Sequence, residues 1–98
     1  MFTLHIANEV EDYDAWKTAF DKFDRVRRDN GVLAYRITRA EPDNHRVYVD
    51  LDFDSRDRAV AFATVLEGIW RTPQSQRVLI GHGAPELRGL AEQQILRA

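Results

Sequence analysis

Cysteine is absent from the 98-residue sequence. That excludes a disulfide framework, a thiolate nucleophile and any metal site built on cysteine sulfur. Neither sign of charge is in excess: 14 Lys and Arg stand against 16 Asp and Glu, for a formal net charge of −2. Such a balance carries no electrostatic footprint for nucleic acid. Long hydrophobic runs are missing too. The most apolar one, residues 59–66, falls far short of the roughly 20 residues that span a bilayer. Met1-Phe2-Thr3 opens straight into a strand-like run, with no basic segment ahead of a long apolar core. No secretory signal is therefore expected, and the cytoplasm is the default location. Neither nucleic acid nor membrane is expected as a partner. There is no repeat at short period and no low-complexity segment. Serine occurs only at Ser55 and Ser75, and no Gly-x-Ser-x-Gly elbow exists, so a serine-triad hydrolase has no support.

What is present describes an ordinary globular chain: 44% apolar and 31% charged residues leave enough hydrophobic surface for a core. The expectation is one domain over residues 1–98, near the lower size limit at which one core suffices. A domain so small gains from burying further surface in an oligomer.

The chain is organised around residues 45–53, His-Arg-Val-Tyr-Val-Asp-Leu-Asp-Phe. Val47, Val49, Leu51 and Phe53 share one side of an extended strand, and Arg46, Tyr48, Asp50 and Asp52 the other. Strict alternation of this kind predicts a sheet with one apolar and one polar face. Residues 2–8 predict a first strand, with Phe2, Leu4 and Ile6 opposite Thr3, His5 and Ala7. Residues 11–30 predict a helix capped by Asp12, with an apolar stripe of Tyr13, Trp16, Ala19, Phe20, Phe23 and Val26. Arg25, Arg27 and Arg28 suit its last turns, and Gly31 its end.

Residues 32–40 predict a second strand whose mixed faces suit protein on both sides. The turn Glu41-Pro42-Asp43-Asn44 joins it in a hairpin to the organising strand. Ser55 caps a helix over residues 56–70 that is apolar nearly all round, as a helix pressed between its sheet and something else would be. Thr72-Pro73 restarts a helical turn. Residues 81–85 read as a loop. For the tail, residues 86–96, a closing strand is expected despite fair helix propensity. The order β-α-β-β-α-β is that of the ferredoxin-like split βαβ unit.

Asp12-Tyr13-Asp14-Ala15-Trp16 at the first helix, Phe20-Asp21 one turn on, Gly31, and the Pro42-Asp43-Asn44 turn carry a resemblance. Val47 to Phe53, then Ala59, Ala61 and Phe62, and the Trp70-Arg71-Thr72-Pro73 break complete it. Over roughly residues 2–85 the chain resembles the dimeric α+β barrel superfamily, which includes antibiotic-biosynthesis-monooxygenase-like proteins. The resemblance implies an α+β fold, a ferredoxin-like split βαβ unit forming a dimeric α+β barrel. It also implies a homodimer with facing sheets and a cavity between sheet and helices in each protomer. Members include cofactor-free oxygenases, polyketide cyclases and haem-degrading enzymes.

Candidate sites follow from the residues. Asp50-Leu51-Asp52 opens like a calcium loop, but Ser55 and Ala61 stand where glycine and glutamate are required. His5, His45 and His82 lie on separate elements without ligand spacing, so no metal is expected. The haem-degrading branch uses an asparagine ending the first strand, a tryptophan on the second helix and a histidine on the helix after it. Asn8, Trp70 and His82 match in type and order, but His82 sits between two glycines past Val78-Leu79-Ile80. Tight haem binding is not expected, and no cofactor is assigned.

The polar face remains. His5 and Asp50 are the catalytic candidates, a histidine being a useful base when a carboxylate orients it. Arg36 and Tyr48 on that face, with Trp16, Phe62 and Trp70 as apolar wall, are the substrate-binding candidates. Asp52 shares the face. Two functions fit. One is a cofactor-independent monooxygenase or cyclase-like enzyme acting on a small planar or polycyclic compound. The other is a non-catalytic homodimer whose polar face is a paired network holding two sheets in register.

Overall fold

The strand β3 (Arg46–Phe53) is buried at every second residue, from Val47 through Phe53, as its alternation predicts. The computed structural model describes residues 1–43 and 45–97; Asn44, in the expected 41–44 turn, lies outside them. On one side β3 pairs antiparallel with β1 (Phe2–Val10), from Phe2↔Phe53 to Glu9↔Arg46. On the other it pairs antiparallel with β2 (Ala34–Arg39). Two short strands, β4 (Leu79–His82) and β5 (Glu86–Gly89), follow one another along the free side of β1. The order is β2-β3-β1-β4, with β5 also on β1, which is the ferredoxin-like arrangement.

The sheet does not close into the α+β barrel expected from the sequence. Its path is open, with β2 at one edge and β4 and β5 at the other. Five strands, standing four abreast, are too few to curl back on themselves; about eight make a barrel just wide enough to be filled by side chains.

All helices lie on the apolar face. Leu4, Ile6, Val10, Val47, Val49, Leu51 and Phe53 from the strands meet Trp16, Ala59 and Phe62 from the helices in one core cluster. The Asp12 carboxylate accepts the Ala15 N–H at 3.0 Å and starts α1 (Tyr13–Asp21). The single helix expected over 11–30 is two. At Lys22–Phe23 the ladder tightens, Phe23 N–H reaching Phe20 O three residues back at 3.2 Å. A second helix, α2 (Asp24–Asp29), starts there. The Arg27 guanidinium reaches back across the break to the same Phe20 carbonyl, at 2.7 Å. Gly31 ends the segment with φ +87°. A Cβ there would also push aside the flexible end of Arg58, whose Nη1 lies 2.7 Å from its position, but it is the positive φ that calls for glycine.

Three further expectations change. In the single chain the second strand is covered on one side only: β2 is an edge strand, exposed except at half-buried Ile37. Gly81 and His82, the first two residues of the region read as a loop, belong to β4, which pairs Leu79 with Val10 and His82 with Asn8. The tail is extended only through Gly89 and irregular from Leu90 to Arg97. By contrast α3 (Arg56–Trp70), capped by Ser55, and α4 (Pro73–Val78), capped by Thr72, stand where expected. Ala59 and Phe62 of α3 face the sheet, while Val60 is 46% exposed, so its outer face is bare in the single chain. Among the described residues, no helix is long and apolar enough to cross a membrane.

Candidate functional site

The two faces of the sheet carry two different chemistries. On the open face the β1–β3 register sets His5 opposite Asp50. Their side chains meet, His5 Nδ1 lying 2.6 Å from Asp50 Oδ1 with both about one-fifth exposed. Arg36 Nη2, from the neighbouring β2 position, is 3.5 Å from Asp50 Oδ2. The Tyr48 ring lies parallel to the His5 ring, with centroids 5.8 Å apart. One pair along, Thr3 Oγ1 donates to Asp52 Oδ1 at 2.7 Å. If Nδ1–H donates to Asp50, Nε2 is left as the free nitrogen.

On the covered face, sheet and helices do not pack solid. They leave a cavity of about 60 Å³ walled by Trp16, Phe20, Phe62 and Trp70 and floored by Ile6, Val49 and Leu51. That holds a few waters at ~10–15 Å³ each. Three polar side chains are buried among the described residues, Asn8, Arg27 and Ser75, and all three line this cavity. Polar groups are costly to bury, so their gathering at one void is informative. Burial pushes the Arg27 guanidinium below its ordinary range, with Asp24 only partly opposing the shift. Its Nε is buried without a partner.

The sequence-predicted candidates therefore divide. His5, Asp50, Arg36 and Tyr48 come together on the open face. Trp16, Phe62 and Trp70 come together around the cavity. The thickness of the sheet separates the sets, and a molecule held by one within this chain does not touch the other. Sequence reasoning missed Arg27 and Ser75 as site residues, and placed Asn8 only in the haem comparison. Two signals were available. Asn8 continues the Leu4, Ile6 alternation onto the apolar face, and Arg27 continues the Trp16, Phe20, Phe23 stripe at helical spacing.

Asn8, Trp70 and His82 do converge. Asn8 and His82 are cross-strand partners, and the His82 ring stacks on Trp70 at 3.6 Å between centroids and 17° between planes. His82 stands on a strand, and its Nδ1–H donates to the Gly83 carbonyl at 3.1 Å. At stacking distance no porphyrin plane fits between the two rings, and the cavity behind Trp70 has no room for a macrocycle. The residues present do not fit haem. Among the described residues, no three His, Asp or Glu side chains group as a metal site would require.

No protein-family model and no curated protein matches the sequence. Solved structures share the fold along almost the whole chain. A dimeric ferredoxin-like protein from an uncultured marine organism is 12% identical, with a TM-score of 0.65 over 95% of this chain and 97% of that one. SnoaB, a cofactor-independent oxygenase from Streptomyces nogalater, is 10% identical, with a TM-score of 0.64 over 94% of each chain. An antibiotic biosynthesis monooxygenase is 12% identical, with a TM-score of 0.54 over 94% of this chain and 100% of that one. The chain has the ferredoxin-like α+β fold of these proteins.

Proposed function

We propose that the chain binds a small planar, aromatic or polycyclic molecule in the cavity beneath the helices and acts on it as a cofactor-independent oxygenase or cyclase-like enzyme. One observation carries this reading: every buried polar side chain among the described residues lines a single aromatic-walled cavity. An apolar pocket with a few convergent polar groups is the general form of a small-molecule site. The fold shared with SnoaB, described as a cofactor-independent oxygenase, supports the reaction class.

Oxidation without a cofactor needs a substrate that itself reduces dioxygen, as a hydroxylated ring does once its phenol proton has passed to solvent. One oxygen atom of O2 becomes a ring carbonyl, the other leaves as water, and the ring gives up two hydrogens to become a quinone. The protein's part is to sandwich the ring, keep water away and stabilise the oxyanion. Trp16, Phe62 and Trp70 supply the wall, and Asn8 and Arg27 the hydrogen bonds. The cavity must widen on binding, by movement of the helices away from the sheet. Oxygen uptake with a panel of hydroxynaphthalenes and hydroxyanthracenes tests the proposal. Protein-dependent uptake that Asn8→Leu reduces at least tenfold is expected. Binding without uptake would leave a non-catalytic ligand-binding module, and no binding at all would end the reading.

A second proposal concerns the open face, where His5, Asp50, Tyr48, Thr3 and Asp52 form a half-buried network that the exposed Arg36 joins through Asp50. We infer that it is the contact surface of a homodimer, which the dimeric state of two proteins of this fold supports. His5 and Asp50 then hold register between protomers. Sedimentation at micromolar concentration should give twice the 11.4 kDa chain mass. Asp50→Ala removes the acceptor shared by His5 and Arg36 at the interface, a loss of about 2 kcal/mol or ~30-fold in dimer affinity. A monomeric wild-type mass would refute the interface.

A further inference from the structure

We infer that the molecule held in the cavity carries an anionic oxygen, as a carboxylate or an ionised phenol, and that Arg27 binds it through Nε. The inference rests on the cavity reading above and names the class of ligand for it. Arg27 is only 5% exposed, although it is charged at any ordinary pH. Its side chain lines the cavity.

Its donors are unevenly used. Nη2 donates to the Phe20 carbonyl at 2.7 Å, while Nε is buried with no acceptor. Closing the helix break at Phe20 explains the first bond and leaves the second unexplained.

Its charge is only partly compensated. Asp24 Oδ1 is 3.8 Å from Nη2, beyond a hydrogen bond, and Asp24 is bonded instead to Arg28 Nε at 2.7 Å. That bond, with the charges of Arg28 and Arg27, holds the Asp24 carboxyl below its ordinary range. What faces Arg27 is aromatic: its guanidinium lies 3.6 Å from the Phe20 ring centroid and 5.5 Å from that of Tyr35. The rings hold the guanidinium without neutralising it. A buried, oriented cation with a free N–H is complementary to an oxyanion, and to a neutral molecule of the same shape much less so.

The test compares 2-naphthoate with its neutral counterpart 2-naphthamide at neutral pH. The chain has two tryptophans, and both line the cavity, so their indole N–H signals in a nitrogen–proton NMR spectrum report occupancy. The Arg27 Nε–H signal reports the proposed bond. Expected are at least tenfold tighter binding of the naphthoate, movement of both indole signals and a downfield shift of the Arg27 Nε–H. Arg27→Met should abolish the preference while still admitting the naphthamide, its fold checked in the same spectrum. Equal affinities in the wild type, or an unmoved Nε–H, would overturn the inference and leave the cavity reading standing. If neither compound moved an indole signal, both would fall.

Discussion

Phe62→Ala is expected to lower folding stability by about 3–5 kcal/mol, the upper range for deleting a buried aromatic side chain. Phe62 is 1% exposed and its ring sits 5.7 Å from that of Phe53 at 49°, joining α3 to the sheet at the centre of the core. Its other side is a wall of the cavity. Removing it therefore merges a new void with an existing one, and neighbours already spanning a gap have little means of collapsing into it. A chain of this size has roughly 5–15 kcal/mol in total, and each kcal/mol moves its melting midpoint by about 4–8 °C. A drop of roughly 12–40 °C should follow. Urea unfolding with an unchanged m-value checks the size of the effect; a loss under ~1 kcal/mol would mean that α3 is not anchored through this ring.

Arg27→Met should go the other way and stabilise the empty protein by about 1–3 kcal/mol. The substitution forfeits the bond to the Phe20 carbonyl and the stacking over the Phe20 ring, about 1–3 and up to about 2 kcal/mol. Against this it removes a buried charge whose nearest carboxylate is shared with Arg28, a desolvation cost of several kcal/mol. It also removes an unpaired buried N–H, worth about 1–3 kcal/mol, and a thioether packs well among aromatic rings. Phe20 O keeps the Phe23 N–H. A residue whose loss stabilises the fold is held there for another reason, which is the usual trade between stability and function at a site. Thermal unfolding of the ligand-free variant decides it: a marked loss of stability would mean that Arg27 is a structural clasp.

Much of the fold could be read locally. The alternation of β3 and the caps Asp12, Ser55 and Thr72-Pro73 are short-range signals, and each stands in the structure as a strand or helix start. What could not be read depends on distant partners. No glycine or proline marks the break at Lys22–Phe23; it is closed by a side chain four residues further on. Strand β4 is four residues long and ends among glycines, and only pairing with β1 makes it a strand. Closure of the sheet is set by the number of strands rather than by any residue. For the site, alternation placed His5 and Asp50 on one face, but their contact needed the register of β1 against β3. Arg27 was hidden by its neighbours. Beside Arg25 and Arg28 it reads as one more cation suited to a helix end, and only its place on the Trp16, Phe20, Phe23 stripe turns it inward.

The central claim is that small-molecule chemistry belongs to the cavity beneath the helices and not to the open face of the sheet. A crystal structure of the protein with bound 2-naphthoate tests it most directly. The predicted result is density between α1 and the sheet, in contact with Trp16 and Phe62, with the carboxylate on Arg27 Nε. Density stacked over His5 and Tyr48 on the open face, with the cavity unchanged, would contradict it.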